Sequence, residues 1–177
     1  MAYTSIDDPE LYFQVKLYTG TGSSQALTFD GEEDMQPDFV WIKERDDTSA
    51  HNSYDSVRGV TKYIYVDENG GEVTDAGSLT AFGSNGFTVN NDPYINESSS
   101  TYVSYCWKGG TTSGIDTTGA EITPSGYSFN QTSGFSIVAY TGTGTDNDGV
   151  AHGLNAAPSF VISKKRSGTG AWVVKTC

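Results

Sequence analysis

Phe13 to Arg45, FQVKLYTGTGSSQALTFDGEEDMQPDFVWIKER, reads as strand, glycine turn, acidic loop, proline and strand. The same order returns from Phe135 to Arg166, FSIVAYTGTGTDNDGVAHGLNAAPSFVISKKR. Phe13 and Tyr18 have counterparts in Phe135 and Tyr140, at an offset of 122. Pro37, Phe39 and Arg45 have theirs in Pro158, Phe160 and Arg166, at 121. A near-constant offset with matched turn residues means one supersecondary unit used twice. Phe13, Val15 and Leu17 alternate with Gln14, Lys16 and Tyr18, the period of a half-buried strand. Gly20 and Gly22 end that strand, where a Cβ would resist the turn.

Outside the repeat the same reading continues. Asp38 to Lys43, Val60 to Val66, Phe87 to Val89 and Thr101 to Lys108 read as strands, and Asn69-Gly70 is a strong turn signal. Arg45 to Gly59 reads as a polar, turn-rich connection. Short strands, 21 glycines, 11 tyrosines and no competing helical period predict an all-β fold. The expected architecture is an antiparallel β-sandwich, jelly-roll or lectin-like, over residues 13–108, followed by a partial second copy. Residues 1–12 read as an extended arm, because Pro9 disfavours helix at Asp8. Residues 109–134 read as a Gly/Ser/Thr-rich linker with one strand that closes the first sheet. Residues 135–177 read as a truncated module. Phe39, Trp41 and either Val103 or Trp107 are expected to face the sandwich interior.

Charge is uneven. Residues 1–110 hold 18 Asp/Glu against 6 Lys/Arg, and residues 111–177 hold 4 of each. An acidic first module repels phosphate backbones, which argues against nucleic-acid binding. No run is long and apolar enough for a membrane helix, and no export signal is expected. Cys106 and Cys177 form neither a disulfide framework nor a zinc spacing, and Cys106 reads as a small buried residue.

No catalytic, cofactor or metal residue is selected. His51 and His152 occupy non-equivalent positions, and no Gly-x-Ser-x-Gly elbow accompanies them. Gly20-x-Gly22 and Gly142-x-Gly144 lack the third glycine of a dinucleotide loop. The acidic loops Asp30 to Asp34 and Asp146 to Asp148 lack EF-hand spacing and read as solvated. Asn96 and Asn130 match the glycosylation pattern incidentally. Tyr94 and Tyr127 read as packing or sugar-stacking residues. The expected interface residues are Tyr3, Asp7, Asp8 and Tyr12 in the arm, with Lys164, Lys165 and Arg166 as the one basic run.

The motifs YTGTGSSQ (18–25), PDFVWIKERD (37–46), HNSYDSVRGVTKYI (51–64), EVTDAGSLTAFGSNGFTV (72–89) and TYVSYCWKGG (101–110), followed by GFSIVAYTGTG and WVV, occur in a fixed order. Together they resemble a repeat module of tailed-bacteriophage virion proteins, over about Phe13 to Val174. His51-Asn52-Ser53-Tyr54 departs from that pattern, which usually has His-Ala-Leu-Phe. The resemblance implies a structural virion protein, a tail-fibre or head-fibre module attached to the particle by its N-terminal region and contributing to host recognition. It carries no catalytic motif. Expected partners are other virion proteins, copies of the chain in a trimer as in phage fibres, and a host-surface glycan. The alternatives are a carbohydrate-binding β-sandwich and a polysaccharide-degrading tailspike-type enzyme.

Overall fold

A computed structural model describes residues 6–176. Tyr3 and Cys177 lie outside the described residues. Alternation and turns produce thirteen strands among the described residues. They are β1 (Phe13–Thr19), β2 (Gln25–Thr28), β3 (Phe39–Glu44), β4 (Asn52–Asp55), β5 (Lys62–Tyr65), β6 (Val73–Thr74), β7 (Leu79–Gly83), β8 (Gly86–Val89), β9 (Thr101–Trp107), β10 (Gly126–Asn130), β11 (Phe135–Ala139), β12 (Phe160–Ser163) and β13 (Val173–Thr176). One helical turn, α1 (Pro93–Asn96), is capped by Asp92, which accepts from Tyr94 N, with Pro93 at its first position.

Two antiparallel sheets make the sandwich. One runs β1-β9-β3-β4-β5-β6 and the other β2-β8-β7. Tyr18, Val40, Ile42, Tyr54, Tyr63, Tyr102 and Cys106 point inward from the larger sheet. Leu27, Leu79, Phe87 and Val89 meet them from the smaller, and Met35 and Ile95 fill the ends. Such burial is the main favourable term for a fold of short strands. The β7–β8 turn requires glycine at Gly86, whose φ is +117° and where a Cβ would fall on Leu27 O.

The inward set differs from the expected one. Val40, Ile42 and Glu44 are buried on β3, and Tyr102, Ser104 and Cys106 on β9. Phe39, Trp41, Val103 and Trp107 therefore lie on the opposite, outer face and are half-buried. A strand has period two, so assigning the wrong parity moves a whole row across the sheet.

Residues 109–134 also depart from a bare linker. Gly109 N donates to the buried Asp38 carboxylate (3.0 Å) and Gly110 N to Ser128 Oγ (2.8 Å). The strand within the segment is β10, and it pairs with β11 rather than closing the first sheet. Val60–Val66 contracts to β5, while the polar connection of residues 45–59 contains β4.

The β3–β4 and β12–β13 hairpins, from the two stretches of similar sequence, share a register. Phe39 lies opposite Asp55 and Trp41 opposite Ser53, while Phe160 lies opposite Thr176 and Ile162 opposite Val174. Every pair in the β12–β13 hairpin is its β3–β4 counterpart displaced by 121 on both strands. The first hairpin is buried inside a sheet, whereas β12–β13 is a separate two-stranded sheet with Phe160, Ile162, Val173 and Val174 exposed.

Candidate functional site

The polar residues of the motifs go into the scaffold. Asp38 of PDF accepts from Ser56 Oγ and from Gly109 N, linking three motifs at one buried carboxylate. Asp55 accepts from Arg58 N and from Arg58 Nε, and Arg58 Nη2 donates to Ser53 O. Arg58 also faces Glu72, which is clamped in turn by Arg166 Nε (2.9 Å) and Nη2 (3.1 Å). These charges close backbone turns and join β4 to the later hairpin, so they are held as structure. Gly20 of YTGTG packs where a Cβ would strike Glu97 O, and Gly22 has φ +70°.

The expected interface residues are scattered. Asp8 caps the short 3-10 turn Pro9–Leu11 by accepting from Glu10 N. Tyr12 is half-buried and its carbonyl accepts from Lys108 N. Asp7 is exposed. Lys164 Nζ donates to Asn69 O and Gly170 O and lies over the Trp172 ring, and Arg166 meets Glu72 of the same chain. Lys165 is exposed. The basic run thus docks on the acidic first module of its own chain.

Other singled-out residues have local roles. Asn96 is buried, with Nδ2 donating to Ser23 O and Asn90 O and Oδ1 accepting from Thr21 N. Asn130 accepts from Thr132 N and Ser133 N in the β10–β11 turn. His152 Nδ1 accepts from Leu154 N. Tyr94 packs edge-on against Tyr65, and Tyr127 OH accepts from Ile115 N. Asp30 takes Lys16, and Asp148 accepts from Thr143. Among the described residues no three His, Cys, Asp or Glu side chains converge as a metal set.

Cys106 is buried in the core, and loss of solvation pushes its thiol up to about 12. The thiolate is the nucleophilic form, so this cysteine is held inert. In a Cys177→Ser chain, a thiol reagent should find no reactive group until denaturant is added. Rapid native-state labelling at neutral pH would show that the core opens at β9.

What the fold does assemble is the outer face of the six-stranded sheet. Registers of β1, β9 and β3 place three rows across it: Phe13–Trp107–Phe39, Val15–Tyr105–Trp41 and Leu17–Val103–Lys43. The first row is a packed aromatic cluster. Trp107 lies 4.9 Å from Phe13 and 5.6 Å from Phe39, and Phe135 of β11 stacks on it at 6.1 Å. The second row is open. Trp41 and Tyr105 stand edge to face at 6.4 Å beside a groove of 430 Å³ that Lys43, His51, Val103 and Trp107 complete. Trp41 Nε1 donates to His51 Nδ1 (3.1 Å), so the neutral ring carries its hydrogen on Nε2. This leaves an aromatic and aliphatic sheet face open to water, with Val15, Leu17 and Tyr105 exposed. Sequence reasoning named Trp41 and Trp107 but placed them inside; the signal was that both parities of β9 and β3 are apolar.

The described residues thus form an antiparallel sandwich with an open aromatic sheet face and internally paired carboxylates. Residues 8–177 match the family described as a domain of unknown function, DUF7483, and the chain belongs to that family. No curated protein and no solved structure matches the chain.

Proposed function

We propose that the chain is a structural component of a tailed-bacteriophage virion, a tail-fibre or head-fibre module that attaches through its N-terminal region and contributes to host recognition. The observation that carries this reading is the three-row aromatic and aliphatic face, presented on a sandwich whose titratable motif residues are spent on turns and salt bridges. A face of that kind suits contact with other virion proteins or copies of the chain. The resemblance of the ordered motifs to virion repeat modules supports the same reading. Antibodies raised against the chain should label the appendages of purified virions in electron micrographs. Virions that lack the chain by mass spectrometry while the producing cells contain it would overturn the assignment.

The groove beside Trp41, Tyr105 and His51 favours a second reading, a glycan subsite, since ring faces stack on sugars and His51 lines the groove. A glycan array with the wild-type chain and Trp41→Ala is the measurement. Binding lost in the variant supports that reading, and no retained glycan leaves the assembly role alone.

A further inference from the structure

β1 forms one edge of the six-stranded sheet. Its even-numbered residues exchange backbone bonds with β9. Lys108 N reaches Tyr12 O and Gly20 N reaches Ser100 O, just beyond the two ends of the ladder and in the same register. In an antiparallel strand the neighbours then turn the other way. The N–H and C=O groups of Phe13, Val15, Leu17 and Thr19 therefore point to the open edge. Among the described residues no strand pairs there; Gln25 Nε2 donates to Thr19 O at one end. Glu10 lies on the inner side, where Gln14 Nε2 donates to its carbonyl and its carboxylate accepts from Glu32 N. Phe13, Val15 and Leu17 are also 37%, 45% and 57% exposed on the outer face.

The chain itself shows what such an edge takes. β11 is the counterpart of β1 at an offset of 122. On β10, Phe129 exchanges both its backbone bonds with Thr111, so Gly126, Ser128 and Asn130 are the residues that turn toward β11. They face Ala139, Ile137 and Phe135, the counterparts of Leu17, Val15 and Phe13. The edge open on β1 is filled on β11 by an antiparallel strand.

We propose that the β1 edge pairs with β1 of a second copy, antiparallel about a two-fold axis, joining two six-stranded sheets into one. Pairing of all seven residues centres on Lys16 and sets Val15 against Leu17 of the other copy, so odd residues meet odd residues as the open groups require. β1 suits a copy of itself. It carries no acid in a chain of net charge −12, and its single charge, Lys16, is held by Asp30 at 2.6 Å. The exposed Val15 and Leu17 of one copy meet Leu17 and Val15 of the other, and Phe13 meets Thr19, as an isologous interface requires. The union also removes a long apolar edge of the kind that proteins otherwise block with charge, proline or a bulge.

The proposal stands on edge geometry and is independent of the virion reading, so sedimentation and virion labelling fail separately. Sedimentation equilibrium of the full chain should give a dimer. Leu17→Pro removes an N–H that faces the open edge and no bond to β9, and Leu17→Lys puts a charge at the seam. Each should give a monomer with the wild-type far-ultraviolet spectrum, and should Leu17→Pro fail to fold, Leu17→Lys decides. Tyr105→Lys, in the middle of the outer face, should remain dimeric. A wild-type monomer, a trimer, or a dimer that survives Leu17→Lys would overturn the proposal, as would a dimer that Tyr105→Lys alone dissociates.

Discussion

Arg58→Ala is expected to lower the free energy of unfolding by about 3–5 kcal/mol, because it strips one partner from a buried ion pair. The side chains of Arg58 and Asp55 are 6% and 7% exposed, so solvent cannot replace the lost guanidinium. Three groups are affected at once. Asp55 keeps the Arg58 backbone N–H on one oxygen and loses its partner on the other. Ser53 O loses the Arg58 Nη2 donor within a strand buried on both faces. Glu72 loses one of its two arginines and keeps Arg166. A double-mutant cycle with Asp55→Ala checks the mechanism by chemical denaturation. The double variant should cost much less than the sum of the singles, since neither charge is then left alone. Additive costs would show that Arg58 acts through packing of its stem instead.

β4, which holds Ser53 and Asp55, is one of the elements that sequence reading missed, as is β2. Asn52-Ser53-Tyr54-Asp55 looks like a surface turn because three of its four residues are polar. Ser53 Oγ donates to Ile64 O across the sheet, while Asn52 Nδ2 donates to Tyr54 OH along the strand and Asp55 takes Arg58 of the turn that follows. Burial of polar groups depends on such partners, and composition does not reveal them. The repeated strands were legible because alternation, glycines and prolines are local. The face of β3 and β9 was not. Both parities there are apolar, since one row packs the core and the other forms the outer face, and alternation alone cannot say which is inside. The candidate site was obscured for the same reason: its residues were visible, and their side of the sheet was not.

The size of that error can be measured. Tyr102→Ala is expected to cost about 3–5 kcal/mol, the range for emptying an aromatic site in a packed core. Tyr102 is fully buried, stacks on Tyr18 at 5.0 Å, donates to Pro93 O and accepts from Glu97 N. Tyr18 OH donates to Ile95 O, so the two rings together hold α1 against the sheet. Removing Tyr102 opens a cavity, leaves Glu97 N without its acceptor and frees the α1 loop. Trp41→Ala, on the outer face, should cost roughly 1–2 kcal/mol, because a half-buried ring gives up only part of its transfer energy and collapses no cavity. Denaturant titration of both variants beside the wild type gives the comparison. A Trp41 cost equal to or above that of Tyr102 would mean that the outer row is the core, and that the sheet faces the other way.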